Sequence, residues 1–128
     1  MFSHVMVGSN DLERSRSFYD AVFGALGAKP GRSDPKGRLS YMHNGAAFMV
    51  SKPIDGQDAC FANGGTIGFA MDSPEQVHAW HEAGVAAGGT AIEDAPGVRQ
   101  GSFGPLYLAY LRDPDGNKLC ALHRMPVE

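Results

Sequence analysis

Two stretches decide the fold, HVMVGSNDLERSRSFYDAVFGALG at residues 4–27 and TIGFAMDSPEQVHAWHEAGVAAGG at residues 66–89. A shift of 62 residues superimposes positions of like size or charge, placing Glu13 on Glu75, Phe18 on Trp80 and Gly27 on Gly89. Each stretch has the pattern of a short apolar strand followed by a capped amphipathic helix that ends at glycine. The repeat predicts two copies of one supersecondary unit.

The first copy predicts a strand at Phe2 to Val7 and a helix that runs to about Leu26. Asn10, with Glu13 three residues later, supplies the reciprocal cap at the start of the helix. Gly27 ends the helix because glycine adopts the left-handed conformation at low cost. Three β segments then follow, near 28–32, 38–43 and 46–52, with Asn44-Gly45 as a hairpin turn.

The second copy predicts the same order of elements. A strand at 65–71 precedes a helix that Ser73 caps and that runs to about Ala87. Three β segments follow near 90–93, 106–112 and 118–123, with a hairpin turn at 113–117, whose sequence is Asp-Pro-Asp-Gly-Asn. We therefore predict an α+β fold in which two βαβββ modules, residues 1–52 and 65–124, are joined by a linker at 53–64 and form the single domain 1–128.

Length and charge limit the partners of the chain. A chain of 128 residues has the usual size of one domain. Eleven basic against fourteen acidic residues give a net charge of −3, which argues against nucleic acid as a partner. The apolar stretches are too short to span a membrane, and no secretion signal is visible. Cys60 and Cys120 suit a reducing cytoplasm, although the sequence leaves a bridge between them open.

The chain resembles the vicinal oxygen chelate superfamily, which contains glyoxalase I, bleomycin and fosfomycin resistance proteins and extradiol dioxygenases. The resemblance covers essentially the whole chain and is carried by His4-Val5, Asn10-Asp11-Leu12, Phe18-Tyr19 and the stretch from Tyr110 to Leu119. It implies the glyoxalase/bleomycin resistance fold, in which two βαβββ modules form one cup-shaped mixed sheet around a small-molecule site. It also implies a homodimer.

The resemblance further implies one divalent metal in the cup, held by a His in the first strand of each module and a Glu in the last. The matching positions are His4, Thr66, Met49 and Cys120, of which only His4 keeps a family ligand. A hard divalent ion prefers carboxylate and imidazole over thioether and hydroxyl. We therefore expect no cofactor, and metal-dependent isomerisation of the glyoxalase type is disfavoured. A metal on His4 and Cys120 is the alternative, with only two ligands.

Other candidate site residues lie in the second module. A glycine-rich loop at 95–105 carries Arg99, which resembles a family residue that meets anionic groups, and Phe103; a solvated arginine is the alternative. Tyr107 and Tyr110 are three apart on one strand, so they should face opposite sides of the sheet. Cys120 is either a small buried hydrophobe or a thiolate activated by His4.

The sequence contains two further histidines on the second predicted helix and lacks several other functional motifs. His78 and His81, three apart on the second helix, are interpreted as surface or half-buried helix residues. No nucleotide-binding glycine motif, Ser-His-Asp order or paired CxxC occurs. We therefore predict a glyoxalase-like protein that binds a small metabolite, anionic or neutral, in the cup, with lyase or isomerase chemistry impaired by the lost ligands. The alternative is a non-catalytic protein of the bleomycin resistance type that sequesters a compound.

Overall fold

The computed structural model describes residues 1–126 and contains eight strands and two helices. Their bounds are β1 His4–Gly8, α1 Leu12–Gly24, β2 Arg32–Ser33, β3 Leu39–His43, β4 Ala46–Ser51, β5 Ile67–Ala70, α2 Pro74–Ala86, β6 Thr90–Gly101, β7 Gly104–Arg112 and β8 Lys118–Arg124. The two helices begin 62 residues apart, at Leu12 and Pro74, which is the spacing of the sequence repeat. No helix in residues 1–126 is long and apolar enough to cross a membrane.

The strands form two four-stranded sheets, one from each module. Sheet A has the order β1-β4-β3-β2 and sheet B the order β5-β8-β7-β6. In each sheet the first strand pairs parallel with the last strand of its module, and the remaining pairs are antiparallel. The predicted α+β class with two βαβββ modules is confirmed.

Several element boundaries differ from the sequence prediction. The N-cap of α1 is Asp11, whose side chain accepts a hydrogen bond from the Arg14 backbone, and not Asn10. Asn10 instead exchanges two hydrogen bonds with the backbone of Ala59, fastening the segment between the modules to the start of α1. The first β segment after α1 shrinks to two residues, Arg32–Ser33. Its counterpart in the second module extends to Gly101.

Both sheets turn one face toward a single hydrophobic core. On sheet A, the alternation of side chains sends Val7, Leu39, Phe48 and Val50 into this core, and on sheet B it sends Ala109, Leu111, Leu119 and Ala121 there. Both helices pack against the same core, to which α1 contributes Tyr19 and α2 contributes Trp80. We call these the inner faces of the sheets.

The opposite faces, which we call the outer faces, point away from the core because successive residues of a strand alternate. The register of sheet A places on its outer face His4, Met6, Ser40, Met42, Ala47, Met49 and Ser51. The register of sheet B places on its outer face Gly68, Ala70, Arg99, Leu106, Leu108, Tyr110, Cys120 and Leu122. Met6 is 43% exposed and Met42 66%, so the outer face of sheet A is open.

The turn between β7 and β8 joins the two modules. Asp113, which is 3% exposed, accepts a hydrogen bond from the Tyr19 hydroxyl of α1. Asp115 accepts one from the Asn10 backbone and forms an ion pair with Arg14 at 3.0 Å. The Asp-Pro-Asp-Gly-Asn sequence therefore makes the predicted turn and also fixes the first module against the second.

Candidate functional site

Three predicted site residues come together on the outer face of sheet B. Tyr110 and Cys120 are direct cross-strand partners on β7 and β8, so their side chains are neighbours on this face. Arg99, on β6, is close enough to act electrostatically on both groups. More of the candidate site residues predicted from the sequence come together here than anywhere else in residues 1–126.

A further cation completes the cluster. Lys118 lies two residues before Cys120 and therefore on the same face of β8. Its Nζ is 4.9 Å from the centre of the Tyr110 ring and 2.5 Å from Oε2 of Glu93. Glu93 has a φ of +58°, a conformation that is rare outside glycine, at the β-bulge between Ile92 and Gly97. The bulge thus carries the carboxylate that pairs with Lys118.

The Cys120 thiol is protonated at neutral pH. Burial raises its pKa, and Glu93 adds to the rise, while the hydrogen bond from Tyr110 and the two nearby cations oppose it. Because the thiolate is both the nucleophile and the metal ligand, a raised pKa disfavours both roles. Of the two interpretations of Cys120, a small buried hydrophobic side chain and an activated thiolate, the first fits the structure, since Cys120 is 5% exposed.

Arg99 lies on a strand and not on the glycine-rich loop that the sequence predicts. Residues 90–101 form β6, which pairs with β7 in a long hairpin arm. The guanidinium turns back on its own strand and donates hydrogen bonds to the backbone carbonyls of Asp94, Ala95 and Gly97, each at 3.0 Å. Much of the donor capacity of Arg99 is therefore used within β6, where it holds the bulge.

Two other predicted residues lie on the outer face of sheet A. His4 is exposed, with Nδ1 2.8 Å from the Ser3 hydroxyl, and Met49 pairs across the sheet with Met6. Cys120 lies on sheet B, so the predicted pairing of His4 with Cys120 is not made within one chain. Instead, the charged groups that act on the thiol are Glu93, Lys118 and Arg99. Thr66 is exposed and precedes β5, so the observed strand, Ile67–Ala70, is shorter than the strand predicted at 65–71 and does not include it.

The remaining candidates point elsewhere. Tyr107 lies on the inner face of sheet B, opposite to Tyr110 as the alternation predicts, and its hydroxyl is 2.7 Å from Nε2 of His78. His78 is exposed, and His81 is half-buried, where burial lowers its pKa. Phe103, at the tip of the β6–β7 hairpin, is 90% exposed. None of these residues belongs to the cluster on sheet B.

The donor set does not fit the divalent metal that the resemblance implies. The four matching positions offer one imidazole, one thioether, one hydroxyl and one protonated thiol, and they are divided between two sheets. Within residues 1–126 no three His, Cys, Asp or Glu side chains are grouped so that they could hold a metal ion. These four residues therefore do not form a site for a divalent metal.

Two clefts mark the surface of the described chain. One, of about 390 Å³, is mainly apolar and lies beside β5, with Phe23, Phe48 and Phe69 in its wall and His4 and His43 at its polar positions. The other, of about 770 Å³, crosses the outer face of sheet A near Met6 and Ser51.

The sequence reading missed the residues that carry charge around these sites. Lys118 could have been found, because a strand residue two positions from Cys120 must share its face. Lys36 and Lys52, which border the larger cleft, come from a turn and from the segment after β4. No spacing in the sequence brings those two together.

Comparisons with known proteins agree on one architecture. A family model described as "Glyoxalase/Bleomycin resistance protein/Dioxygenase superfamily" matches residues 1–121. A solved glyoxalase/bleomycin resistance protein from Albidiferax ferrireducens T118 is 58% identical, with 97% of this chain and 99% of that chain covered and a TM-score of 0.93. A search of the curated proteins finds no match.

Two more distant structures are similar in fold alone. A glyoxalase/bleomycin resistance protein/dioxygenase family enzyme from Burkholderia phytofirmans PsJN is 19% identical over 96% of this chain and 98% of its own, with a TM-score of 0.72. A glyoxalase-related enzyme from Fulvimarina pelagi is 22% identical over 100% and 93%, with a TM-score of 0.71. The same arrangement of elements thus persists where little sequence is shared.

Proposed function

The chain belongs to the glyoxalase/bleomycin resistance protein/dioxygenase superfamily, and from this premise we propose that it is a cytoplasmic homodimer that binds a small organic molecule without a metal. The binding surface is formed by the outer face of sheet B in one protomer and the outer face of sheet A in its partner. The observation that carries the proposal is the cluster of Tyr110, Cys120 and Lys118, an aromatic and polar surface that includes one position, Cys120, at which the resemblance implies a metal ligand.

The chemistry of the cluster supports binding over catalysis. A protonated, buried thiol beside a hydroxyl whose pKa is also raised is a poor nucleophile and a poor base. The tyrosine ring, with the Lys118 ammonium over it, and the small Cys120 side chain offer instead an aromatic and polar surface for an organic molecule. These properties favour the sequestering function over lyase or isomerase chemistry.

The dimer follows from what one chain leaves uncovered. The two outer faces point away from each other in a single chain, so one protomer cannot enclose a ligand between them. The edge strands β1 and β5 each have one pairing partner, and exposed edges and apolar surface favour association. A dimer that apposes sheet A with the partner's sheet B brings the two half-sites together.

We expect the purified protein to have about twice the mass of the 13.6 kDa chain in light scattering at micromolar concentration. Replacing Met42, which is 66% exposed on the outer face of sheet A, by Asp should shift the mass toward the monomer, because it places a charge in the apposed surfaces. A wild-type mass near that of one chain would overturn the dimer.

For the ligand, we expect thermal-shift screening of small aromatic and aliphatic compounds to yield binders whose affinity depends on Tyr110. Replacing Tyr110 by Ala should weaken binding in calorimetric titration by about tenfold, or about 1.4 kcal/mol, because the ligand loses the ring on which it packs. Tyr107→Ala is the matched control, since Tyr107 lies on the same strand and faces α2. Equal loss in both variants, or none in Tyr110→Ala, would remove the cluster from the site.

A further inference from the structure

The larger cleft lies over the end of sheet A where β1 and β4 finish. It is lined by Met6 of β1, by Lys36 and Arg38 ahead of β3, and by residues 52–55 after β4. It is an open cleft of about 770 Å³. It occupies the outer face of sheet A, one half of the proposed binding surface.

The charges around this cleft are mainly positive although the chain carries a net charge of −3. Lys36 and Arg38, which precede β3, and Lys52, which follows β4, all line it. Arg38 forms an ion pair with Asp34 at 2.6 Å, which neutralises it in part. Lys36 and Lys52 are exposed and form no ion pair within residues 1–126. Asp55 is the one acidic residue that lines the cleft.

The same cleft has an apolar component. Ile54 is fully exposed and Met6 is 43% exposed, and both side chains line the cleft. A methionine surface adapts to ligands of varied shape because its side chain is flexible and polarizable. The cleft therefore combines apolar side chains with two lysine ammonium groups that form no ion pair within residues 1–126.

From this combination we propose that the protein selects organic anions, in which an apolar body packs on Met6 and Ile54 while a carboxylate, sulfonate or phosphonate is held by Lys36 and Lys52. The proposal rests on the proposed function and names the class of ligand that its site takes. It also moves anion recognition away from Arg99, whose guanidinium is engaged with the carbonyls of β6.

The test uses two fluorescent probes that share one apolar body, 8-anilinonaphthalene-1-sulfonate and its uncharged analogue N-phenyl-1-naphthylamine. We expect the wild-type dimer to bind the sulfonate more tightly than the uncharged probe. In the variant Lys36→Gln with Lys52→Gln, affinity for the sulfonate should fall by about tenfold, and affinity for the uncharged probe should stay within about twofold. Lys29→Gln is the control, because Lys29 is exposed and borders neither cleft.

Each other outcome contradicts a different statement. If both probes bind the wild type and the double variant with unchanged affinity, anion selection is wrong while the proposed small-molecule binding stands. If Lys29→Gln weakens the sulfonate as much as the double variant does, the effect is a general one of net charge and the cleft is not the site. If neither probe binds, the proposed function falls together with the inference.

Discussion

Replacing Asp113 by Ala should lower the free energy of unfolding by about 3–5 kcal/mol, one of the two largest effects we expect from a single substitution. The buried carboxylate accepts hydrogen bonds from the Tyr19 hydroxyl, from the side-chain amide and backbone of Asn117, and from the backbone of Asp115. Its removal leaves the buried Tyr19 hydroxyl and Asn117 backbone N–H without this acceptor, and each buried group left unpaired costs about 1–3 kcal/mol.

Tyr19 makes the network span both modules. Burial, and then the adjacent Asp113 carboxylate, raise the pKa of the Tyr19 hydroxyl well above its ordinary value, so the hydroxyl remains a donor. Tyr19→Phe keeps the ring in the core and removes this single hydrogen bond. We therefore expect it to cost less than Asp113→Ala, about 1–2 kcal/mol.

Urea unfolding of the three proteins, monitored by the fluorescence of Trp80, measures both effects. Asp58→Ala is the control, because Asp58 is exposed in the segment between the modules and should change stability by less than about 0.5 kcal/mol. If Asp113→Ala lies within about 1 kcal/mol of the wild type, the turn does not fix the modules as the structure indicates.

This network also shows where the sequence reading reached its limit. The repeat predicted both helices with the correct spacing, and the Asp-Pro-Asp-Gly-Asn sequence predicted a hairpin turn, because both signals are local. Nothing local indicates that Asp113 reaches Tyr19, which lies 94 residues earlier. The turn chemistry and the contact between modules are carried by the same residues, and only the first can be read from spacing.

In the candidate site, too, only the features that depend on local sequence could be predicted. Alternation along β7 correctly separated Tyr107 from Tyr110, since a period of two is a local property of strands. The sequence predicts residues 90–93 of β6 as a β segment but the stretch from residue 95 as a loop, because its glycines and proline resemble turn residues; the pairing with β7 that makes it a strand comes from the tertiary fold. The cations Lys36 and Lys52 line one cleft because the segment before β3 and the segment after β4 lie at the same end of sheet A.

The second large effect concerns Gly84, which allows α1 and α2 to pack against each other and against β7. A methyl group at this position would overlap Cδ1 of Leu111 and lie 3.1 Å from Cγ1 of Val22, and both side chains are fully buried. Because both neighbours are packed in the core, the helices must separate or the Leu111 side chain must change its rotamer. Gly84→Ala should therefore lower stability by about 1–3 kcal/mol, although alanine is the better helix former.

Gly24 provides the matched control, since it is also helical and has open space around it. A methyl group there meets nothing within 4 Å, so Gly24→Ala should leave stability unchanged or raise it by up to about 1 kcal/mol through helix propensity alone. The two substitutions are chemically identical, and their opposite signs in urea unfolding would isolate the packing of Gly84 against Val22 and Leu111. A gain of stability in both variants would show that the α1–α2 contact tolerates a larger side chain, contrary to the structure.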